Sequence, residues 1–315
     1  MKHTILVTGG AGFIGSRLVK KLSENGYQVV VIDNLTSNLP FVQLPNVVNY
    51  NFDVRDYASI DEIVGECKPY CIVHLAAIHH VPTCEIERNY ALEVNVIGTE
   101  NLLLAMEKHQ VSKLVFASTG AVYSPDFPVL NEDETPVDPF DNYSLSKFTN
   151  EKQIRFFQHR TNADVCIARL FNTIGANDPN AHLIPDILRQ IDTEDSQVTV
   201  KLGNIKSRRD YIHVEDTANL LMLMAISAPK KGLKTYNVCT GVEYSVEEIV
   251  QKIGILMNKP IAIEIDPDKI RKYDRISQIG NNQKVLNEFN TQLFFTIEDA
   301  LKDILAKMYD LQTWS

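Results

Sequence analysis

The sequence predicts a doubly wound α/β fold, a parallel sheet covered by helices on both faces, with a smaller α/β cap after it. Three observations carry that prediction. Apolar runs alternate with amphipathic stretches from the first residues, the short runs are rich in β-branched residues, and a glycine-rich turn joins the first run to the first amphipathic stretch.

In chain order, residues 4–8 read as a buried strand, 14–25 as a helix and 28–32 as a second strand. Further strands are expected at 47–52, 71–75, 113–117 and 164–169, with helices near 57–67, 90–109 and 143–161 between them. Such alternation implies right-handed βαβ crossovers and a parallel sheet. Beyond residue 170 the rhythm loosens into turn-rich segments at 175–179, 203–207 and 266–268. Residues 211–228 and 235–238 again read as a helix and a strand suited to the large sheet. The expected division is therefore a cofactor domain of 1–171 with 211–238, and a substrate domain of 172–210 with 239–315.

Composition narrows the function. With 40 acidic against 31 basic side chains in 315 residues, the net charge is −9, which argues against nucleic acid or anionic lipid as a partner. No apolar stretch approaches the ~20 residues of a membrane helix, and the start MKHTILVTGG lacks a signal-peptide core, so a cytoplasmic protein without a membrane partner is expected. Five cysteines (Cys67, Cys71, Cys84, Cys166, Cys239) lack metal-ligand spacing. Free thiols and no metal site are the expectation.

The turn Thr8-Gly9-Gly10-Ala11-Gly12-Phe13-Ile14-Gly15 places Gly9, Gly12 and Gly15 at G-x-x-G-x-x-G spacing. That spacing suits a pyrophosphate: Gly9 permits the tight turn, Gly12 lets backbone N–H groups approach, and Gly15 brings the positive end of the helix close. Asp33 follows at the end of the second strand, where its carboxylate can accept the adenosine ribose diol. It would repel a 2′-phosphate and no arginine follows directly, which favours NAD over NADP; a turn-capping Asp is the simpler alternative. Asp53 and Val54 end the third strand, where a carboxylate can meet the adenine amino group and Val54 can flank the ring.

Tyr143 and Lys147 stand four apart on one helical face. A free phenol, with a pKa of about 10, is a poor base; the Lys147 ammonium and an oxidised nicotinamide are expected to pull that value down. Tyr143 can then take a proton from a sugar hydroxyl while hydride leaves the same carbon. Thr119, after strand 113–117, can hydrogen-bond the reacting oxygen. In most proteins such a Tyr/Lys pair is merely solvated; its place after a glycine-rich strand–turn–helix sets this one apart.

The segments TGGAGFIG (8–15), DNLTSN (33–38), DV (53–54), LAAIH (75–79), NVIGTEN (95–101), FASTGAVY (116–123), YSLSK (143–147), RLFNTIGA (169–176), RRDYIHVEDTA (208–218) and YNVCTG (236–241) together resemble the extended short-chain dehydrogenase/reductase family, in its NAD-dependent nucleotide-sugar epimerase/dehydratase group. The resemblance spans nearly the whole chain and implies a Rossmann fold, NAD as cofactor and a nucleotide sugar as substrate. It implies that Phe13 and Ile14 join the glycines at the cofactor and that Asp33, Asn34, Leu35, Thr36, Ser37 and Asn38 surround the adenosine ribose. Leu75, Ala76, Ala77 and Asn95 are implied to line the cofactor cleft, His79 to lie near the diphosphate or nicotinamide, and Phe171 by the nicotinamide beside Tyr143 and Lys147.

On the substrate side the resemblance implies Asn172 at the sugar or phosphate, His182 and Leu183 in a base-contacting loop, and Lys201 and Leu202 on a strand against the nucleobase. Arg209 and Arg271 are the best diphosphate clamps, because guanidinium forks suit phosphate oxygens. Asp274 is placed at the nucleotide ribose and Gln278 where relatives set the size of the sugar pocket, while Arg208 and Arg275 read as solvated charges.

The reaction turns on the residues after Thr119. Dehydratases of this family carry an Asp-Glu pair there, since eliminating water needs a further acid and base; here the positions are Gly120-Ala121. The loop 118–123 resembles that of the UDP-hexose 4-epimerases, which implies redox-neutral C4 epimerisation with tightly retained NAD. A reductase of nucleotide 4-keto sugars would use the same three residues and is the alternative, ahead of a 4,6-dehydratase or a non-catalytic dinucleotide-binding protein. The run 266–271 also resembles GDP-sugar enzymes, so the base stays open. Helices 90–109 and 143–161 correspond to a four-helix dimer interface in many relatives and predict a homodimer. Their apolar residues Leu102, Leu103, Phe148, Phe156 and Phe157 could equally be intrachain core.

Overall fold

In the computed structural model, which describes residues 3–179, 182–191, 198–228, 231–270 and 275–312, the alternation is explicit. The first half runs β1 (Thr4–Thr8), α1 (Phe13–Glu24), β2 (Gln28–Asp33), β3 (Val47–Asn51), α2 (Tyr57–Cys67), β4 (Cys71–His74), α3 (Val81–Ile86), α4 (Arg88–Leu92), α5 (Gly98–Lys108), β5 (Lys113–Thr119), α6 (Asn142–Thr161) and β6 (Asp164–Leu170). The second half runs β7 (Asn172–Ile174), α7 (Leu183–Arg189), β8 (Val198–Leu202), β9 (Arg208–His213), α8 (Val214–Ile226), β10 (Gly232–Val238), β11 (Glu243–Ser245), α9 (Val246–Leu256), β12 (Ile261–Ile265), α10 (Gln283–Phe289) and α11 (Ile297–Gln312).

Seven strands form one sheet in the order β3-β2-β1-β4-β5-β6-β10, and every pairing in it is parallel. Alternate residues of each strand feed opposite faces. Ile5, Val7, Val29 and Val31 pack with Leu18 and Leu22 of α1 and Leu221 and Met224 of α8. Leu6, Val30 and Ile32 pack instead with Ile60 and Val64 of α2, Leu102 and Leu103 of α5, and Ile154 and Phe157 of α6. Burial on both faces is why these strands read as unbroken apolar runs. The strand order reverses between β1 and β4, which opens a crevice at their C-terminal ends.

Two small sheets make the rest. β7 pairs in parallel with β9 and β11 pairs antiparallel to it, while β8 and β12 form a parallel pair. They share a third core, with Ile184, Ile187, Val200, Leu202, Ile249, Ile253 and Leu301 at its centre.

Three expectations change. Residues 211–213 are strand, paired with 172–174, and the helix starts only at Val214, where the His213 ring accepts the Glu215 N–H at 3.0 Å as a cap. The helix expected at 90–109 is α4 and α5 joined by a π-turn, Glu93–Ile97. Strand β5 runs two residues beyond its apolar stretch, because Ser118 and Thr119 still pair with Arg169 and Leu170.

Candidate active site

The C-terminal ends of the central strands border one cleft of about 1750 Å³. A single small ligand fills roughly 300–1,000 Å³, so this volume accommodates a dinucleotide together with a second ligand. Gly9 takes a left-handed backbone (φ +71°), and a Cβ there would lie 2.7 Å from the Ala76 nitrogen. A Cβ on Gly15 would lie 2.0 Å from the Gly9 carbonyl oxygen. No side chain caps α1 at Gly12 and no acid stands in its first turn, so its N-terminal N–H groups are available to an anion.

Gly9, Gly12, Phe13, Ile14, Gly15, Asp33, Asn34, Thr36, Ser37, Val54, Leu75, Ala76, Ala77, His79 and Phe171 all line this cleft. The Asp33 carboxylate accepts the Ala11 N–H at 2.9 Å and the Leu35 N–H at 2.8 Å, so it braces the turn while facing the cleft. Ser37 Oγ is shielded from water without a hydrogen-bond partner among the described residues, an orphaned polar atom in the loop where a ribose would supply one. These features fit a dinucleotide.

Four expected cofactor residues stand outside the lining. Leu35 and Asn38 form the left-handed corners of the Asp33 loop (φ 60° and 56°). Asp53 is clasped by Arg55 at 2.9 Å and by Asn34 at 2.8 Å. Asn95, in the π-turn, braces the wall from behind: its amide bonds both backbone groups of Ile78, at 2.8 and 2.9 Å, and Ser146 Oγ at 3.0 Å.

Thr119, Tyr143 and Lys147 meet on the cleft floor. Asp141 and Ser144 cap α6 reciprocally, which sets the first turn that carries Tyr143. Lys147 Nζ donates to the Ala117 carbonyl at 2.9 Å and sits 4.9 Å over the Phe116 ring; burial pushes its pKa down to about 8. The expected lowering at Tyr143 is not found in the protein alone. Burial pushes the phenol up, opposed by its interaction with the Thr119 side chain, because desolvating a phenolate outweighs one neutral hydrogen bond.

A third residue of this stripe escaped the sequence reading. Glu151, four residues after Lys147, is buried; it accepts Ser118 Oγ at 2.6 Å and Arg169 at 2.7 and 3.0 Å. Consecutive residues of β5 thus engage successive turns of α6: Ala117 with Lys147, Ser118 with Glu151, Thr119 with Tyr143. The i, i+4, i+8 spacing was the available signal. Glu151→Gln leaves Arg169 buried without its counter-charge and is expected to lower stability by about 3 kcal/mol in urea unfolding; a loss below about 1 kcal/mol would refute that role.

On the substrate side Asn172, His182, Leu183, Leu202 and Arg209 line the cleft. The His182 ring lies 5.8 Å from His79; His79 is open to the cleft, and partial desolvation by the cleft walls together with that neighbour holds its imidazole below the usual histidine range. Lys201 is exposed beside the cleft, its N–H held by Gln190 at 2.7 Å and its ammonium 3.5 Å from Glu264. Arg271 and Asp274 fall outside the described residues. Of the two arginines read as solvated, Arg208 is partly exposed and ion-paired, with Glu243 at 2.9 Å and Glu248 at 3.0 Å, whereas Arg275 is buried in the cleft wall.

Comparison with known proteins agrees with this geometry. The chain is 33% identical over 295 residues to the UDP-glucose 4-epimerase of Halalkalibacterium halodurans, covering 89% of this chain and 87% of that one. It is 30% identical over 308 residues to the GDP-6-deoxy-D-talose 4-dehydrogenase of Aggregatibacter actinomycetemcomitans, covering 97% and 96%. The crystal structure of the UDP-glucose 4-epimerase from Bifidobacterium longum in complex with NAD+ and UDP superposes with a TM-score of 0.87 at 28% identity, covering 98% of each chain. Residues 5–239 match the NAD dependent epimerase/dehydratase family, and the protein belongs to that family.

Proposed function

We propose that the protein is an NAD-dependent UDP-hexose 4-epimerase. The observation that carries this reading is the convergence of Thr119, Tyr143 and Lys147 beside a dinucleotide cradle, in a loop that has Gly120-Ala121 where a dehydratase needs acids. NAD, when bound, takes up and returns the C4 hydride. Tyr143 accepts and returns the C4 hydroxyl proton, Thr119 orients that oxygen, and the Lys147 ammonium favours the phenolate. Asp33, Ser37 and the α1 N-terminus hold the cofactor, with 1–171 and 214–238 as its domain, since 211–213 pair in the small sheet. Arg209 and Arg271 hold the diphosphate, and Asp274, Leu183 and Leu202 the nucleoside.

A second reading, a reductase of nucleotide 4-keto sugars, is favoured by the GDP-6-deoxy-D-talose 4-dehydrogenase among the relatives. One experiment separates the two. The purified protein, given UDP-glucose without added cofactor, should interconvert it with UDP-galactose; turnover only of a 4-keto sugar with stoichiometric loss of NAD(P)H would overturn the epimerase.

We also infer a homodimer. Leu102, Leu103 and Phe157 are spent on the intrachain core, but Ile97, Leu104, Leu145 and Phe156 of the adjoining helices are 44–61% exposed. Light scattering should report a dimer, and Phe156→Asp a monomer; a monomeric unmodified protein at micromolar concentration refutes the dimer. A cytoplasmic location fits five free cysteines.

A further inference from the structure

Two arginines of this chain are equally buried, each 6% exposed, and their surroundings differ sharply. Arg169 is clasped by Glu151. Arg275 has no carboxylate partner among the described residues: its Nη2 donates to the carbonyls of Ala121, at 2.9 Å, and Tyr123, while Nε and Nη1 are shielded from water and have no acceptor. The Phe140 ring lies 4.8 Å from its guanidinium. Among the described residues the acid that acts on it is Asp141, whose carboxylate already accepts the Ser144 N–H at 2.6 Å as the cap of α6. Its other charged neighbour is Arg209, of the same sign, and burial together with that neighbour pushes the Arg275 pKa down to about 10. An uncompensated buried cation costs several kcal/mol, which an anion arriving in the cleft would offset.

Position indicates which anion. Arg209 donates to the Arg275 carbonyl at 2.9 Å, so the Arg275 side chain begins beside the Arg209 guanidinium. From there it runs to the loop directly after Thr119, where the sugar reacts. Its head group therefore lies beyond the diphosphate clamp, toward the hexose. Gly120 is closely packed there: a Cβ would lie 2.9 Å from Phe171 and 3.0 Å from the Gln278 amide nitrogen, so that amide stands at the same loop. A neutral hexose offers only hydroxyls, which an amide such as that of Gln278 can serve; a guanidinium with unspent N–H groups matches a carboxylate.

We propose that Arg275 recognises an anionic group at the hexose end of the cleft, and that the preferred substrates are nucleoside-diphosphate hexoses carrying a carboxylate on the sugar. This deepens, and rests on, the nucleotide-sugar reading above. The test is titration calorimetry of the NAD-loaded protein with UDP, UDP-glucose and UDP-glucuronate. The unmodified protein should bind UDP-glucuronate at least about tenfold more tightly than UDP-glucose, as a charge-assisted hydrogen bond implies. Arg275→Met should abolish that preference while UDP affinity changes less than about threefold, and Arg275→Lys should keep part of it. Equal affinity of the unmodified protein for both sugars overturns the proposal. So does equal weakening of all three ligands by Arg275→Met, which would place Arg275 on the diphosphate or in the scaffold. Should the Met variant fail to fold, the unmodified protein's preference and the Lys variant decide. Failure of UDP itself to bind would instead strike the nucleotide reading.

Discussion

Tyr143→Phe lowers turnover of the 4-epimer pair by about two to four orders of magnitude, the range a positioned acid–base group contributes, and leaves NAD in place. The cofactor's expected supports, the glycine turn, Asp33 and Ser37, lie on other strands and loops. The benzyl ring of the variant fills the same space, so α6 keeps its capping box and its contacts through Lys147 and Glu151. Release and quantification of nucleotide from denatured variant should match the unmodified protein. Turnover within about tenfold of normal would remove Tyr143 from the proton transfer.

The same site predicts a pH dependence. Burial raises the Tyr143 phenol, so the phenolate depends on nearby positive charge, and Lys147 carries that charge only below about pH 8. Turnover should therefore fall as pH rises through about 8, and Lys147→Met, slow at every pH, should lose that limb. Stability moves the other way. Unfolded, Lys147 titrates near its ordinary value of 10.5, so between about 8 and 10.5 the unfolded chain binds more protons from this group. Its burial cost is full below pH 8 and is relieved as pH rises through that window. A turnover limb set by unfolding would accompany a drop in stability rather than a gain.

Much of this was legible in the sequence, for physical reasons that differ by element. Strands buried on both faces announce themselves as apolar runs, and the glycine turn as a spacing that backbone sterics demand. Arg275 shows the limit. Nothing local distinguishes a surface arginine from one whose partners are carbonyls more than 150 residues away, and a solvated charge is the ordinary state of a single arginine. Asp53 failed the other way: its neighbour Arg55, two residues on, closes back on it. The π-turn at Glu93–Ile97 breaks the 3.6-residue period by one residue, too little to see in an apolar pattern, yet it puts Asn95 where it can brace Ile78.

Gly15→Ala should abolish NAD retention, and it tests the cradle independently of the chemistry. A methyl group there would sit 2.0 Å from the Gly9 carbonyl oxygen and 2.8 Å from the Gly10 Cα, both backbone atoms with no freedom to rotate away. Relief requires α1 to move off the turn, but Leu18, Val19 and Leu22 lock α1 onto β1 and β2 in the core. The strain therefore falls on Gly9–Gly12, the turn that sets the first N–H groups of α1 against the pyrophosphate. Gly12→Ala is the control, because a Cβ there would meet only the Gly9 carbonyl oxygen, at 3.2 Å, and otherwise points into the cleft. It should leave the free protein's stability nearly unchanged yet weaken NAD, by filling the space a phosphate needs. Gly15→Ala should lower both. Full NAD occupancy in both purified variants would show that the cofactor is held elsewhere.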